Sequence, residues 1–372
     1  MEPVRFGVIG VGGMGGGHAR SFKDIEEATL VAVADVSADT ANKVAAETGA
    51  TAFATAEELI EKGNVEAIII ATPHFFHPPV AEFAAKHGVH VLSEKPVSVT
   101  VSAADGMIEA CEKGGVMLGV VFQQRLEAVR VHIKSMVDSG VLGKLHRISM
   151  TAPWYRTQAY YDMGAWRGTW KGEGGGILMN QAPHSLDQFI WLAGKSPLNV
   201  QGIALTRLHN IEVESSAQAI CDFGDGMTGY FYASTAEVPS GERLEIAGDK
   251  GVLTLDGRSL RFYELETPIS EHLPTATGGF DTPKGEWKTI EYDTNGGGHT
   301  DVTRAFARAV RAGDPSLMVA NGQDGLRAVE LANSILLSGY TREQVALPLD
   351  RQKYDAMLSQ LQNGVATSEL KL

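Results

Sequence analysis

Val4-Arg5-Phe6-Gly7-Val8-Ile9-Gly10-Val11-Gly12-Gly13-Met14-Gly15 decides the architecture of the chain. An apolar run of strand length ends in G-x-G-x-x-G, and a helical pattern opens at once over residues 13–22. The first glycine of such a motif permits a tight turn, the second lets the backbone approach a pyrophosphate, and the third lets the helix pack closely on the strand; the helix N-terminus attracts the anion. Strand, glycines and helix in that order point to a dinucleotide. Asp35 closes the next apolar run, residues 30–34, twenty positions after Gly15. An acid there hydrogen-bonds the ribose hydroxyls of NAD and repels the 2′-phosphate of NADP. Val36, Ser37 and Ala38 follow, with no Arg or Lys to receive such a phosphate, so NAD is the expected cofactor.

Working outward, residues 67–71, 89–92 and 116–121 are further short apolar runs, separated by amphipathic segments such as 40–48 and 79–86. Repeated strand-then-helix units imply parallel strands with right-handed crossovers, and near-continuous Val/Ile/Leu runs suit a sheet buried on both faces. Past residue 122 the texture changes. A helix over 127–139 precedes strand-like segments at 145–151, 200–206, 215–222, 227–233, 243–247 and 251–255, with Gly/Asp turns between neighbours, as antiparallel hairpins require. Helices are expected over 177–192, 301–311 and 324–339. The fold class is therefore α/β: an N-terminal Rossmann doubly wound parallel sheet, then a C-terminal α+β domain with a mostly antiparallel open sheet. The expected domains are 1–122, which binds NAD, and 123–372, which holds substrate and oligomerises.

Composition narrows the partners. A chain of 372 residues exceeds one ordinary core, since cores stop growing near about 250–300 residues. A formal net charge of −13 without a basic run argues against nucleic acid and anionic membrane surfaces. No apolar run approaches the roughly 18 residues of a membrane span. Two cysteines, Cys111 and Cys221, lack zinc or CxxC spacing, and His74, His77, His87 and His90 have no carboxylate cluster to complete a site, so no metal is expected. These features suit a cytoplasmic protein without a leader.

Glu94-Lys95-Pro96 follows the strand at 89–92, at the carboxyl edge of the parallel sheet, where ligands bind in such folds. With the glycine motif, this tripeptide resembles the signature of the Gfo/Idh/MocA family, the glucose-fructose and inositol dehydrogenase-like oxidoreductases. The resemblance runs on through Ala71-Thr72-Pro73 with His77, Gln123-x-Arg125, Trp166-Arg167, Gly174-Gly175-Gly176-x-Leu178-x-Asn180-x-x-x-His184-x-x-Asp187 and Gly298-His299. It implies that Lys95 and His184 carry the redox chemistry. The cofactor-binding set is then Gly10, Gly12, Gly13, Met14, Gly15, Asp35, Ser37, Thr72, Pro73, His74, His77, Glu94, Lys95 and Gln123.

Asn180, His184 and Asp187 are spaced to share one face of the expected helix 177–192. Oxidising an alcohol sheds a hydroxyl proton and develops alkoxide charge, so a base and a cation are needed. His184 fits the first role and Lys95 the second. Relatives often have Asp where this chain has Asn180; without that carboxylate, Asn180 is expected to orient the substrate hydroxyl. Trp154, Tyr155, Tyr160, Tyr161, Trp166 and Trp170 crowd one stretch with Arg156, Arg167 and Lys171, a mixture suited to a sugar ring. Tyr155, Trp166 and Arg167 are the expected contacts, and His299, behind a flexible glycine run, either closes over the ligand or belongs to a helix-capping loop.

The expected substrate is a sugar or polyol, and the expected assembly a homodimer or homotetramer. Two alternatives remain: glycoside cleavage through transient oxidation by retained NAD, and a non-catalytic sugar-sensing regulator.

Overall fold

The computed structural model describes residues 2–371. Strands β1 (Val4–Ile9), β2 (Ala28–Ala34), β3 (Thr51–Phe53), β4 (Ala67–Ile70), β5 (His90–Ser93) and β6 (Leu118–Val120) pair in parallel, in the order β3-β2-β1-β4-β5-β6. Strand order reverses between β1 and β4, the switch point at which doubly wound sheets open a crevice. All four residues of β4 are buried, because crossover helices cover both faces. The hydroxyls of Ser37, Thr55 and Thr100 cap the helices Ala38–Thr48, Ala56–Lys62 and Val101–Gly114, so each turn out of the sheet starts the next helix.

The second sheet has nine strands: β7 (Leu145–Pro153), β8 (Asn199–Leu205), β9 (Ser216–Gly224), β10 (Met227–Ser234), β11 (Arg243–Gly248), β12 (Gly251–Asp256), β13 (Ser259–Leu265), β14 (Gly285–Thr289) and β15 (Val345–Ala346). Their order is β14-β13-β12-β11-β7-β10-β9-β8-β15, antiparallel throughout except where β7 runs parallel to β10. Burial alternates along the strands: Ile148, Met150, Phe231, Ile246 and Leu253 face inward, while Ile220 is 63% exposed on the other face. The helix Pro183–Ala193 covers the inward face, setting Phe189 against Phe223 and Phe231 with ring centroids 5.7 and 5.6 Å away.

Contacts divide the chain into two units: residues 1–126 with 172–174 and 297–329, and residues 127–171 with 175–296 and 330–372. A single cut at 122/123 would place 297–329 with the C-terminal part. They pack instead with the first unit, because the helix His299–Ala312 buries Val302, Phe306 and Ala307 in one core with Phe6, Val8 and Leu92. Arg311 fixes the helix from its exposed side, donating to both Glu66 carboxylate oxygens at 2.7 and 2.9 Å.

Candidate active site

In the first unit, Gly10 ends β1 with φ +82°, a backbone that side chains resist, and a Cβ there would lie 2.8 Å from Ala71 O. The glycine loop therefore lies directly on the Ala71-Thr72 turn. At Gly15 a Cβ would meet Gly10 O at 1.8 Å, whereas Gly12 and Gly13 face open space. The motif's division of labour is visible: the outer glycines permit close packing and the middle ones leave room. Met14 is half exposed beside them.

Asp35 ties this loop down. Its carboxylate accepts from the Val11 N–H at 2.9 Å and from the Ser37 N–H at 2.9 Å, so Ser37, not Asp35, caps the following helix. Across the crevice, the Thr72 hydroxyl is buried without a hydrogen-bond partner among the described residues. Open space over Gly12 and Gly13, an acid at the end of β2 and an orphaned hydroxyl beyond β4 together fit a dinucleotide.

Glu94-Lys95-Pro96 follows β5, and its backbone is held from two sides. His77 lies with Nε2 2.8 Å from Thr72 O and Nδ1 2.9 Å from Pro96 O, joining the Thr72-Pro73 turn to the tripeptide. Burial lowers the His77 pKa; the two carbonyls and Glu94 oppose this without reversing it. His74 is buried on the same turn, its Nδ1 3.3 Å from Glu173 O. Glu94 is paired with His18, Nε2 to Oε1 at 2.7 Å, and its other oxygen accepts the Lys95 N–H at 3.1 Å. Burial pushes the Glu94 carboxyl up, but the hydrogen bond and charge of His18, with Lys95 and His299, outweigh it and bring the pKa to about 2. Lys95 itself is half-buried. Gln123 opens the short turn Gln123–Leu126, anchored by Arg125 on Asp324 at 3.2 Å.

His299 belongs to this unit. It is the first residue of the helix His299–Ala312, whose start is fixed by the Gly298 N–H donating to Asp301 at 2.9 Å, and its ring lies edge-on to His18, 5.3 Å between centroids. Burial lowers its pKa, Glu94 works against the shift, and His18 and Lys95 add to it.

In the second unit the helix carrying His184 begins at Pro183, not at residue 177. Proline lacks an N–H and suits the first helical turn, a signal that is present in the sequence. Asn180 therefore sits in a turn, its N–H donating to Gly176 O at 3.0 Å, and does not share a helix face with His184 and Asp187. The turn is held by fully buried Glu214, whose carboxylate accepts from the Gly176 and Leu178 N–H groups at 2.9 and 3.0 Å. A Cβ on Gly176 would lie 1.8 Å from Glu214 O, which explains the glycine. Ser185, beside His184, donates to Glu242, which also pairs with buried Arg130. His184 and Asp187 are both buried.

The aromatic stretch separates into two groups. Trp170 and Tyr161 are buried packing residues, the first against Tyr340 and the second bonded to Thr235 at 2.9 Å. Trp166, Arg167 and Tyr160 stack together next to Asn180, while Tyr155 is 46% exposed. Residue spacing gives no sign of His18, Glu214 or Glu242, because their partners are remote in sequence.

Two family models match, an oxidoreductase family with an NAD-binding Rossmann fold over residues 4–122 and the GFO/IDH/MocA C-terminal domain over 131–254. The chain belongs to the Gfo/Idh/MocA family of NAD-binding oxidoreductases. Among curated relatives, the rhizopine catabolism protein MocA of Rhizobium meliloti is 26% identical over 296 residues, 77% of this chain and 90% of that protein. Myo-inositol 2-dehydrogenase of Thermotoga maritima is 29% identical over 259 residues, 68% of this chain and 75% of that one. Among solved structures, the WlbA dehydrogenase of Bordetella pertussis, in complex with NADH and UDP-GlcNAcA, superposes with a TM-score of 0.78 at 27% identity, covering 94% of this chain and all of that one.

Proposed function

We propose that the chain is an NAD-dependent dehydrogenase that oxidises a ring hydroxyl of a sugar, polyol or glycoside, with His184 as acid/base and Lys95 as electrostatic stabiliser. The observation that carries the reading is Lys95 at the carboxyl edge of the dinucleotide sheet, on a backbone braced by His77 and by the His18–Glu94 pair. The relatives support the substrate class, since they include an inositol dehydrogenase and a protein bound to a sugar nucleotide.

Gly10, Gly12, Gly13, Met14 and Gly15 would hold the pyrophosphate, Asp35 and Ser37 the adenosine ribose, and Thr72, Pro73, His74, His77, Glu94, Lys95 and Gln123 the nicotinamide half. NAD, when bound, accepts the hydride. His184 takes the hydroxyl proton and, in reduction, returns it. The Lys95 ammonium offsets the negative charge that gathers on the substrate oxygen. Asn180, Trp166, Arg167 and Tyr155 orient the substrate. His299, edge-on to His18 in the first unit, contributes a donor or acceptor to the substrate.

A panel of monosaccharides, inositols and glycosides, followed by NADH absorbance, identifies the substrate and separates net oxidation from transient oxidation. On that substrate, Lys95→Ala and His184→Ala should each lower turnover at least roughly a hundredfold while NADH affinity changes little. Near-normal turnover in either variant defeats the assignment.

The outward face of β8–β10, with Ile203 and Ile220 exposed, supports a homodimer or homotetramer, measurable by light scattering. Cys111 and Cys221 are buried thiols, each pushed up to about 12 by burial, in keeping with a cytoplasmic protein. No described helix is long and apolar enough to cross a membrane.

A further inference from the structure

Tyr160 is the hub of a cluster built within the second unit. The Arg167 guanidinium lies 4.4 Å from the Tyr160 ring centroid and 4.4 Å from that of Trp166, and the Arg156 guanidinium lies 5.2 Å from the same tyrosine ring. The Tyr160 hydroxyl accepts from Arg167 at 2.6 Å and from Gln181 at 3.1 Å, and donates to Asn180 Oδ1 at 3.4 Å. Its hydrogen-bonding capacity is filled.

That of the arginines is not. A guanidinium carries five N–H donors. Arg167 gives one to Tyr160, Arg156 gives one to the Tyr155 carbonyl at 2.9 Å, and among the described residues neither has a carboxylate at ion-pair distance. Both side chains are nonetheless half-buried. The arginines of similar or greater burial elsewhere are paired: Arg130 with Glu242, Arg125 with Asp324, Arg311 with Glu66. Stacking on an aromatic ring orients the planar fork but leaves the charge uncancelled. Two cations drawn to one ring repel each other unless an anion lies between them.

We propose that Arg156 and Arg167 bind an oxyanion carried by the substrate, a carboxylate or a phosphoryl group, so that the enzyme acts on an acidic sugar and not a neutral one. The fork geometry of arginine matches either group in bidentate fashion. Asn180, joined to the cluster through the Tyr160 hydroxyl, ties the site of charge recognition to the residue assigned to orient the reacting hydroxyl. The inference rests on the dehydrogenase reading for the word substrate, but its test does not need turnover.

The arginine side-chain N–H resonances of nitrogen-labelled protein are followed while D-glucuronate, D-glucose 6-phosphate or D-glucose is added at constant ionic strength. Arg156 and Arg167 are assigned from their lysine variants. At least one anion should shift both resonances saturably and bind at least about tenfold more tightly than glucose. Tighter binding of glucuronate marks a carboxylate site, and of the phosphate a phosphoryl site. Arg167→Gln should abolish the response, while Arg167→Lys, which keeps the charge and loses the fork, should weaken it. No saturable response to either anion, equal binding of glucose, or a response that survives Arg167→Gln overturns the proposal. If this fails while Lys95 and His184 variants still lose NAD reduction, the dehydrogenase reading stands and only the anion site falls. A normal anion response in a chain that reduces no NAD leaves the anion site standing and removes the dehydrogenase.

Discussion

Glu94 in the first unit and Tyr160 in the second each stand at the centre of a polar cluster, and the two clusters are completed in opposite ways. Around Glu94 the carboxylate is answered within the fold: His18 on one oxygen, the Lys95 N–H on the other, and His77 bracing Pro96 from beyond. Around Tyr160 two guanidinia converge, and among the described residues no acid meets them. On the proposed assignment, the cofactor's site is set in advance by the protein's own pairs, whereas the substrate's site leaves charge for the ligand to cancel. In general, pre-organisation lowers the cost of binding, and unanswered charge raises selectivity.

The comparison breaks most visibly at Glu94. Glu94→Ala leaves the buried His18 ring without its hydrogen-bond partner and should cost about 3 kcal/mol, read from urea unfolding. Its pH dependence sharpens the point: the carboxyl sits near 2 in the folded chain against an ordinary 4.5, so the stability it supplies is complete above about pH 4.5 and is lost as pH falls toward 2. The variant should lose that slope. Next in size is Glu214→Gln, which weakens two charge-assisted bonds to the Gly176–Leu178 turn and should cost about 1.5 kcal/mol in the same assay. The smallest effect is expected at Asp35→Asn, where the preference for NAD over NADP, taken as a ratio of kcat/KM, should shrink about tenfold while the fold stays intact.

What can be read from sequence is local. The glycine loop, Asp35 and Glu94-Lys95-Pro96 depend on backbone geometry within a few residues, and the parallel strands announce themselves as apolar runs. β3 has three residues and no buried run, and β14 is mostly exposed and carries Glu286 and Lys288, so neither stands out. The helix Arg351–Gln362, by contrast, carries its signal in the sequence, since Tyr354, Met357, Leu358 and Leu361 recur at helical spacing and are buried. In the second unit the polar spacing of Asn180, His184 and Asp187 suggests a helix from 177, whereas Pro183 marks the true start. The stretch around Tyr160 shows as a local crowd of aromatics and cations, but the remote pairings are illegible: His18 and Glu94 lie 76 residues apart, Glu214 lies 38 from Gly176, and Arg130 lies 112 from Glu242. Only packing brings such partners together.

The helix His299–Ala312 closes the core beneath β1, and Val120 donates its N–H to Ala320 O at 3.1 Å. On the ribosome, the first strand must therefore wait for almost the whole polypeptide to emerge before its last neighbours arrive. A fragment ending near residue 122 would expose the patch on Phe6 and Leu92 that Phe306 covers, and would be prone to self-association. For the same reason, stop codons or frameshifts before residue 297 should silence nucleotide binding even where they spare residues 1–126.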